Sequence, residues 1–246
     1  KIDKLYILCS DDLLIEENKI VKIKINGQPK FKDFFNLINF YTSDDDINII
    51  LNSDCYIDEK NLHMVTERLD ENDAFLLSRW DILSLRPLKT IHFNDANKDI
   101  SGCSQDAWIF KGRPKDGLEG NFEMGRAGCD NAIAYEFDKV GYVVSNPSLS
   151  IKIYHYHISR IRTYGDYEVN GVDNRGKYRV PPPYKFIPAT KFIEGNMNIV
   201  FYNHYHNGDI HYSRGFVKDV MNKYKAKSYS YYFDLEHVCD KDIIKD

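Results

Sequence analysis

Residues 47–62 read INIILNSDCYIDEKNL. The apolar run Ile47–Leu51 stops abruptly at Asn52-Ser53-Asp54, and a helical pattern begins a few residues later. A short continuous apolar run is what a strand shows when both faces of its sheet are covered. Asp58 is suited to cap the following helix, whose inner stripe is Leu62, Val65 and Leu69. Upstream, DKLYILCSDD (3–12) and KIVKIKING (19–27) read as strands ending in turns. PKFKDFFNLINFY (29–41) puts Phe31, Phe34, Phe35 and Ile38 on one helical face. Downstream, DAFLLSRWDI (73–82) is the next strand. Strands and helices alternate, which predicts an α/β domain with helices on both faces of the sheet.

The pattern loosens from Arg86 to Gly128. It tightens again at CDNAIAYEFDKVGY (129–142), a helix with Ile133, Phe137 and Val140 on one face and Gly141 at its end. YVVSNPSLSIKIYHYH (142–157) is strand-like and carries His155 and His157 at its end, both pointing to one side. Residues 165–195 are polar and contain Pro181-Pro182-Pro183, a linker or wrapping segment. The stretch 197–233 restarts as strand, loop, helix and strand, with a helix stripe of Val217, Val220, Met221 and Tyr224. It reads as the opening unit of a second Rossmann-like domain. The expected division is therefore 1–164, 165–195 and 196–246.

The 246 residues are 43% hydrophobic and include 18 Tyr and 14 Phe, enough for a packed core. The net charge is −4, and no Lys/Arg block offers a grip on a nucleic-acid backbone. Five cysteines with no C-x-x-C spacing argue against a disulfide framework or zinc finger and for a reducing, cytoplasmic setting. No apolar run reaches the roughly 20 residues that span a bilayer.

In open α/β sheets, ligands collect beyond the carboxyl ends of the strands. Asp54 stands at such an end. A carboxylate there can hold a hard divalent cation, which in turn neutralises a diphosphate; a plain turn residue is the alternative. Arg79, after the strand AFLLS, can contact phosphate or form an ion pair. Asp130 opens a helix that it would cap.

NIILNSDCYID (48–58), SQDAWIFKG (104–112), MGRAGCDNAIAYEF (124–137) and VGYVVSNPSLSIKIYHYHIS (140–159) follow one another in the order seen in GT-A-fold glycosyltransferases. Residues 1–164 resemble a nucleotide-diphospho-sugar transferase domain of the bacterial or viral polysaccharide type. The resemblance implies a Rossmann-like mixed sheet and transfer of a sugar from a nucleotide-diphosphate sugar to a glycan or lipid-linked glycan. The setting would be cytoplasmic, including the membrane surface or a virus-infected host.

Asn52-Ser53-Asp54 occupies the place of the Asp-x-Asp metal motif. Its first acid is Asn here, which leaves Asp54 as the main carboxylate for Mn²⁺ or Mg²⁺. The resemblance makes Asp130 the general base of an inverting transfer, with Gly125 and Gly128 letting backbone approach the donor sugar. It assigns His155, or else His157, to the metal or diphosphate. Ser10 and Asp11 would lie at the nucleotide base and ribose, and Gln105, Asp106 and Trp108 at the acceptor.

Two rivals stand beside this reading. A degenerate transferase would bind a nucleotide sugar or carbohydrate without turnover. A metal hydrolase would use His204, His206 and His211 from NHYHNGDIHYSR (203–214), a stretch that also resembles the first loop of a GT-B-type glycosyltransferase domain. On that resemblance, further transferase domains in the same polypeptide are expected.

Overall fold

A computed structural model describes residues 2–9, 17–96, 102–156 and 179–192, and the short strands at 168–169, 172–173, 198–203 and 228–233. The chain divides into two units, residues 1–191 and 192–246.

The first unit is mixed α/β. Its strands are β1 (Leu5–Cys9), β2 (Ile20–Lys24), β3 (Ile47–Leu51), β4 (Cys55–Ile57), β5 (Asp73–Leu77), β6 (Trp80–Leu85), β7 (Leu88–His92), β8 (Ala107–Lys111), β9 (Val143–Ser145) and β10 (Ile153–His155). Its helices are α1 (Phe31–Tyr41), α2 (Leu62–Arg68), α3 (Phe93–Ala96) and α4 (Cys129–Lys139). A two-residue-strand hairpin, β11 (Glu168–Val169) with β12 (Val172–Asp173), follows.

The central sheet has the order β3-β8-β5-β9. β8 runs antiparallel to both β3 and β5, whereas β9 is parallel to β5. The chain order 47–51 then 73–77 suggests direct parallel neighbours, but β8 lies between them. The sheet is therefore mixed, and its first strand, β3, and third, β5, point the same way.

Side chains alternate across this sheet. On one face Ile50, Ala74, Leu76, Trp108 and Phe110 pack with Phe31 and Phe35 of α1 and Ile133 and Phe137 of α4 in one buried cluster. The aromatic contacts are edge-on: Phe31 to Trp108 at 4.8 Å and Phe35 to Phe137 at 6.0 Å between ring centres. Such pairs contribute about 0.5–1.5 kcal/mol beyond the area they bury. Phe75, Leu77 and Ile109 alternate with these residues and are buried on the opposite face; Val65 and Leu69 of the α2 region are buried as well.

Helix starts follow local chemistry. The Lys30 backbone N–H donates to the Asp33 carboxylate at 2.8 Å, closing the first turn of α1. Asp58 accepts from the Lys60 N–H at 3.1 Å, but it caps the short 3₁₀ turn Glu59–Asn61 and not α2, whose N-cap is Asn61.

A second sheet, β4-β10-β6-β7, sits where β3 and β5 end. The stretch 73–82, read as one strand, is two. It breaks at Ser78-Arg79, and β6 belongs to this second sheet. Ser78 is fully buried at the break. Its N–H donates to Asn146 Oδ1 and its hydroxyl to the Ser104 carbonyl, so the polar groups freed by leaving the ladder are satisfied. Residues 179–191 pack within this unit: Val180 and Ile187 are buried, and the Lys185 N–H donates to the Asn131 carbonyl.

The second unit shows β13 (Asn198–Asn203) and β14 (Ser228–Phe233), parallel and in register from Asn198↔Ser228 to Asn203↔Phe233. Parallel neighbours need a crossover of a dozen or more residues. That crossover lies outside the described residues, and with it the helix stripe 217–224 and the cluster His204, His206, Asp209 and His211.

Candidate functional site

Three strand ends meet at one edge of the central sheet. β3 runs into Asn52-Ser53-Asp54, β5 into Ser78-Arg79, and the segment entering β8 brings Ser104, Gln105 and Asp106. Backbone bonds lock the junction: the Asn52 N–H donates to the Asp106 carbonyl at 3.1 Å, and the Asp106 N–H to the Leu77 carbonyl at 2.8 Å.

The second sheet supplies the rest. In β10, His155 stands opposite Cys55 of β4 and opposite Asp81 of β6. That register brings the imidazole between two carboxylates. His155 Nδ1 lies 2.7 Å from Asp81 Oδ1, and Nε2 lies 3.0 Å from Asp54 Oδ2. Burial lowers the imidazole's affinity for a proton, but the hydrogen bonds to Asp54 and Asp81 outweigh it and push the pKa up to about 9. Burial acts in the opposite sense on Asp81. There the bonds from His155 and Arg79 prevail and hold the carboxyl below its ordinary range.

Arg79 links this pair to a second buried acid. Its Nε donates to Asp81 at 2.8 Å, and its Nη1 reaches both oxygens of Asp106 at 3.2 and 3.3 Å. The guanidinium also sits 4.9 Å from the Phe93 ring centre. Asp106 further accepts from Asn52 Nδ2 at 3.0 Å and from the Ser104 hydroxyl at 3.4 Å. A continuous polar chain therefore runs Asp54, His155, Asp81, Arg79, Asp106, Asn52.

Asp130 lies beside the far end of that chain. It occupies the first turn of α4, whose N-cap is Gly128, so it is not itself the cap. Burial and the neighbouring Asp106 charge push its carboxyl up to about 7. The Cys129 thiol, 3.2 Å away, the Gln105 backbone N–H and the Arg79 charge pull the other way without prevailing. A carboxyl that titrates near neutrality and remains partly exposed is suited to accept a proton.

Two cysteines near these acids are poor nucleophiles. Burial first, then the Asp106 and Asp54 charges, push the Cys55 thiol far up. Burial and Asp130 do the same to Cys129.

The fit of a divalent cation can be judged from the donors present. Among the described residues no group of three or more His, Cys, Asp or Glu side chains is placed to hold a metal ion. Asp54 and His155 form a two-donor set, one oxygen and one nitrogen. Their 3.0 Å separation is about the edge between adjacent ligands in an octahedron with bonds of roughly 2.1 Å. Mg²⁺-type sites commonly use one or two protein donors and take the remainder from substrate phosphate and water. The set fits such an ion, on condition that the proton on Nε2 leaves.

Several expected site residues have other roles. Trp108 is 1% exposed and packed edge-on against Phe31, so it cannot stack on an acceptor sugar; it is core. Gln105 is fully buried, and its side-chain N–H donates to the Gly102 carbonyl. Asp106 is 4% exposed and committed to Arg79, Asn52 and Ser104, so it organises the site from beneath and is not an acceptor contact.

Gly128 also differs from expectation. Its φ is +81°, and a Cβ there would lie 2.8 Å from the Tyr184 hydroxyl and 3.1 Å from the Val180 carbonyl. The close approach is to the chain's own 179–192 segment, not to a sugar. Asn52 spends its amide on Asp106. Arg79 is a buried bridge between two carboxylates, not a surface ion pair. Ser10, Asp11 and His157 lie outside the described residues. Asp81 is not among the residues expected from the sequence; its one local signal is an acid between Trp80 and Ile82 in a strand-like run.

An open hollow of about 420 Å³ lies elsewhere, between α1 and the 114–121 loop, lined by Lys32, Asn36, Asn39 and Lys115 among others. None of the residues of the polar chain lines it.

Comparison with known proteins adds no identity: no family model, no curated protein and no solved structure matches the chain.

Proposed function

We propose that this protein is a glycosyltransferase acting on a nucleotide-diphosphate sugar, with a GT-A-type arrangement of its first unit. The supporting observation is the contact of Asp54 with His155, joined through Asp81, Arg79 and Asp106 to the neighbourhood of Asp130. These residues come from positions 54 to 155 of the chain and share one sheet edge, where ligands of open α/β sheets collect.

In this reading Asp130 accepts the proton of an acceptor hydroxyl. The freed oxygen bonds to the anomeric carbon from one side while the bond to the diphosphate oxygen breaks on the other. The electron pair leaves with the diphosphate, and configuration inverts. Asp54 and His155 would hold Mn²⁺ or Mg²⁺, and the chemistry such an ion would supply there is charge neutralisation for a diphosphate. Asp130 lies in the first turn of α4, whose positive end favours the ionised form from which a base accepts a proton. The acceptor is a glycan or lipid-linked glycan. No helix among the described residues is long and apolar enough to cross a membrane.

The test is calorimetric titration with UDP, GDP and dTDP sugars, with and without Mn²⁺. Cation-dependent binding of one of them supports the reading, and no binding to any of them contradicts it.

A second reading has one specific observation in its favour. Asn52, where a second carboxylate would strengthen cation binding, is tied to Asp106. A nucleotide-sugar-binding module without turnover would tolerate that. Asp130→Asn separates the two readings, because only an enzyme has turnover to lose.

A further inference from the structure

We infer that Asp81 is the positioning residue of the cation site, acting through His155; the inference rests on the cation reading above. An imidazole can turn about its Cβ–Cγ bond and can carry its proton on either nitrogen. Something must fix both if Nε2 is to serve as a ligand beside Asp54. Asp81 does so by accepting a hydrogen bond from Nδ1–H, with Nδ1 and Oδ1 2.7 Å apart, the shorter of the two contacts of the imidazole with Asp81 and Asp54.

Asp81 is itself held. β6 and β10 are parallel with His155 opposite Asp81, which sets the two side chains as neighbours. Arg79 Nε grips the same Asp81 oxygen at 2.8 Å, and Arg79 is fixed in turn by Asp106, which is 4% exposed. A carboxylate on the far nitrogen of a ligating histidine fixes its tautomer, aims the ring and raises its basicity. Asp81 faces Nδ1, whereas Asp54 faces Nε2, so Asp81 acts on the cation site through the ring. It is therefore a support, not a ligand.

The same arrangement explains how two donors can suffice. Each is aimed before the ion arrives, so little orientational freedom is lost on binding. The expected loss on removing such a support is about 10- to 100-fold in metal affinity.

The experiment is Mn²⁺ titration followed by electron paramagnetic resonance, on the full chain in the presence of UDP. Wild type, Asp81→Asn and Asp81→Glu are compared, with melting curves to confirm that each is folded. The expected result is a 10- to 100-fold weaker Mn²⁺ constant for Asp81→Asn, partly restored in Asp81→Glu, at a similar melting temperature. Equal Mn²⁺ affinity in wild type and Asp81→Asn overturns the inference and leaves the cation reading standing. A wild type that binds no Mn²⁺ with UDP, nor with GDP or dTDP in its place, overturns both.

A variant-free measurement guards against misfolding. Long-range ¹H–¹⁵N spectra of the wild type saturated with Mg²⁺ and UDP, with His155 identified by comparison with His155→Gln, report its tautomer. A proton on Nδ1 supports Asp81 as the orienting partner, and a proton on Nε2 overturns it.

Discussion

His155 Nε2 lies 3.0 Å from the Asp54 carboxylate although the two residues are 101 positions apart. The contact is made by register. Cys55 and His155 are partners in an antiparallel ladder, so the residue just before Cys55 is delivered to the imidazole. In Asp54→Ala the imidazole keeps Asp81 but loses its second acid. Mn²⁺ binding in the presence of nucleotide should fall by at least about 100-fold, measured by calorimetry, while the fold survives, because Asp54 is partly exposed and lies at a turn.

Asp130 gives the pH dependence. Its folded pKa of about 7 lies above the roughly 3.9 of an unfolded Asp, so folding favours the protonated form. The contribution of this carboxyl to stability is therefore most favourable below pH 4, falls as pH rises from about 4 to 7, and is level above. Asp130→Asn removes that penalty. The variant should melt at the same temperature as wild type near pH 4. At pH 8 it should be more stable by about 1–4 kcal/mol, with a melting temperature higher by roughly 2–4 °C per kcal/mol. Equal melting temperatures at pH 8 would show that the carboxyl is not strained.

Turnover moves in the opposite direction. A base must be deprotonated to act, so kcat should rise about tenfold per pH unit up to near pH 7 and then level. Asp130→Asn should lose about 10²- to 10⁴-fold in kcat with donor binding intact. A pH profile flat from 5 to 8 would remove Asp130 from the base role.

Asp106 and Arg79 form a buried pair, with side-chain exposures of 6% and 16%. Removing one partner leaves the other uncompensated, at a cost of about 3–5 kcal/mol. Asp106→Ala should therefore lower the melting temperature by roughly 10 °C or more, a result that calorimetric scanning would check. An acceptor-contact role for Asp106 would instead leave stability unchanged and raise KM.

Much of this was legible locally. Asp54 stands out because it follows the apolar run Ile47–Leu51, and strand ends are where an α/β sheet exposes polar groups; His155, beside His157, gains its role only from the resemblance to GT-A-fold transferases. α1 and α4 follow from apolar residues spaced three and four apart. Trp108 was ambiguous because alternation alone does not say which side of a strand meets a helix. Its face is set by α1, a distant element. The break at Ser78-Arg79 was hidden because Trp80, Asp81 and Ile82 extend a strand-like run. Only the long-range bonds of Ser78 to Asn146 and Ser104 reveal that the chain changes sheets there. Asp81 went unnoticed for the same reason. The insertion of β8 between β3 and β5 leaves no local trace at all.

Gly128 gives a check on the 179–192 segment. At φ +81° a Cβ is strained, and the Tyr184 hydroxyl stands 2.8 Å from where it would be. Gly128→Ala should destabilise by about 1–3 kcal/mol and hasten proteolysis within 179–192, readable by timed digestion and mass spectrometry. Unchanged digestion would mean that this glycine does not secure the segment.

The most direct measurement is calorimetric titration of wild type and Asp54→Asn with a panel of nucleotide-diphosphate sugars, each with and without Mn²⁺. The account predicts that at least one sugar nucleotide binds wild type more tightly when Mn²⁺ is present, and that the Mn²⁺ effect disappears in Asp54→Asn. Binding that ignores Mn²⁺, or no binding to any member of the panel, would contradict it.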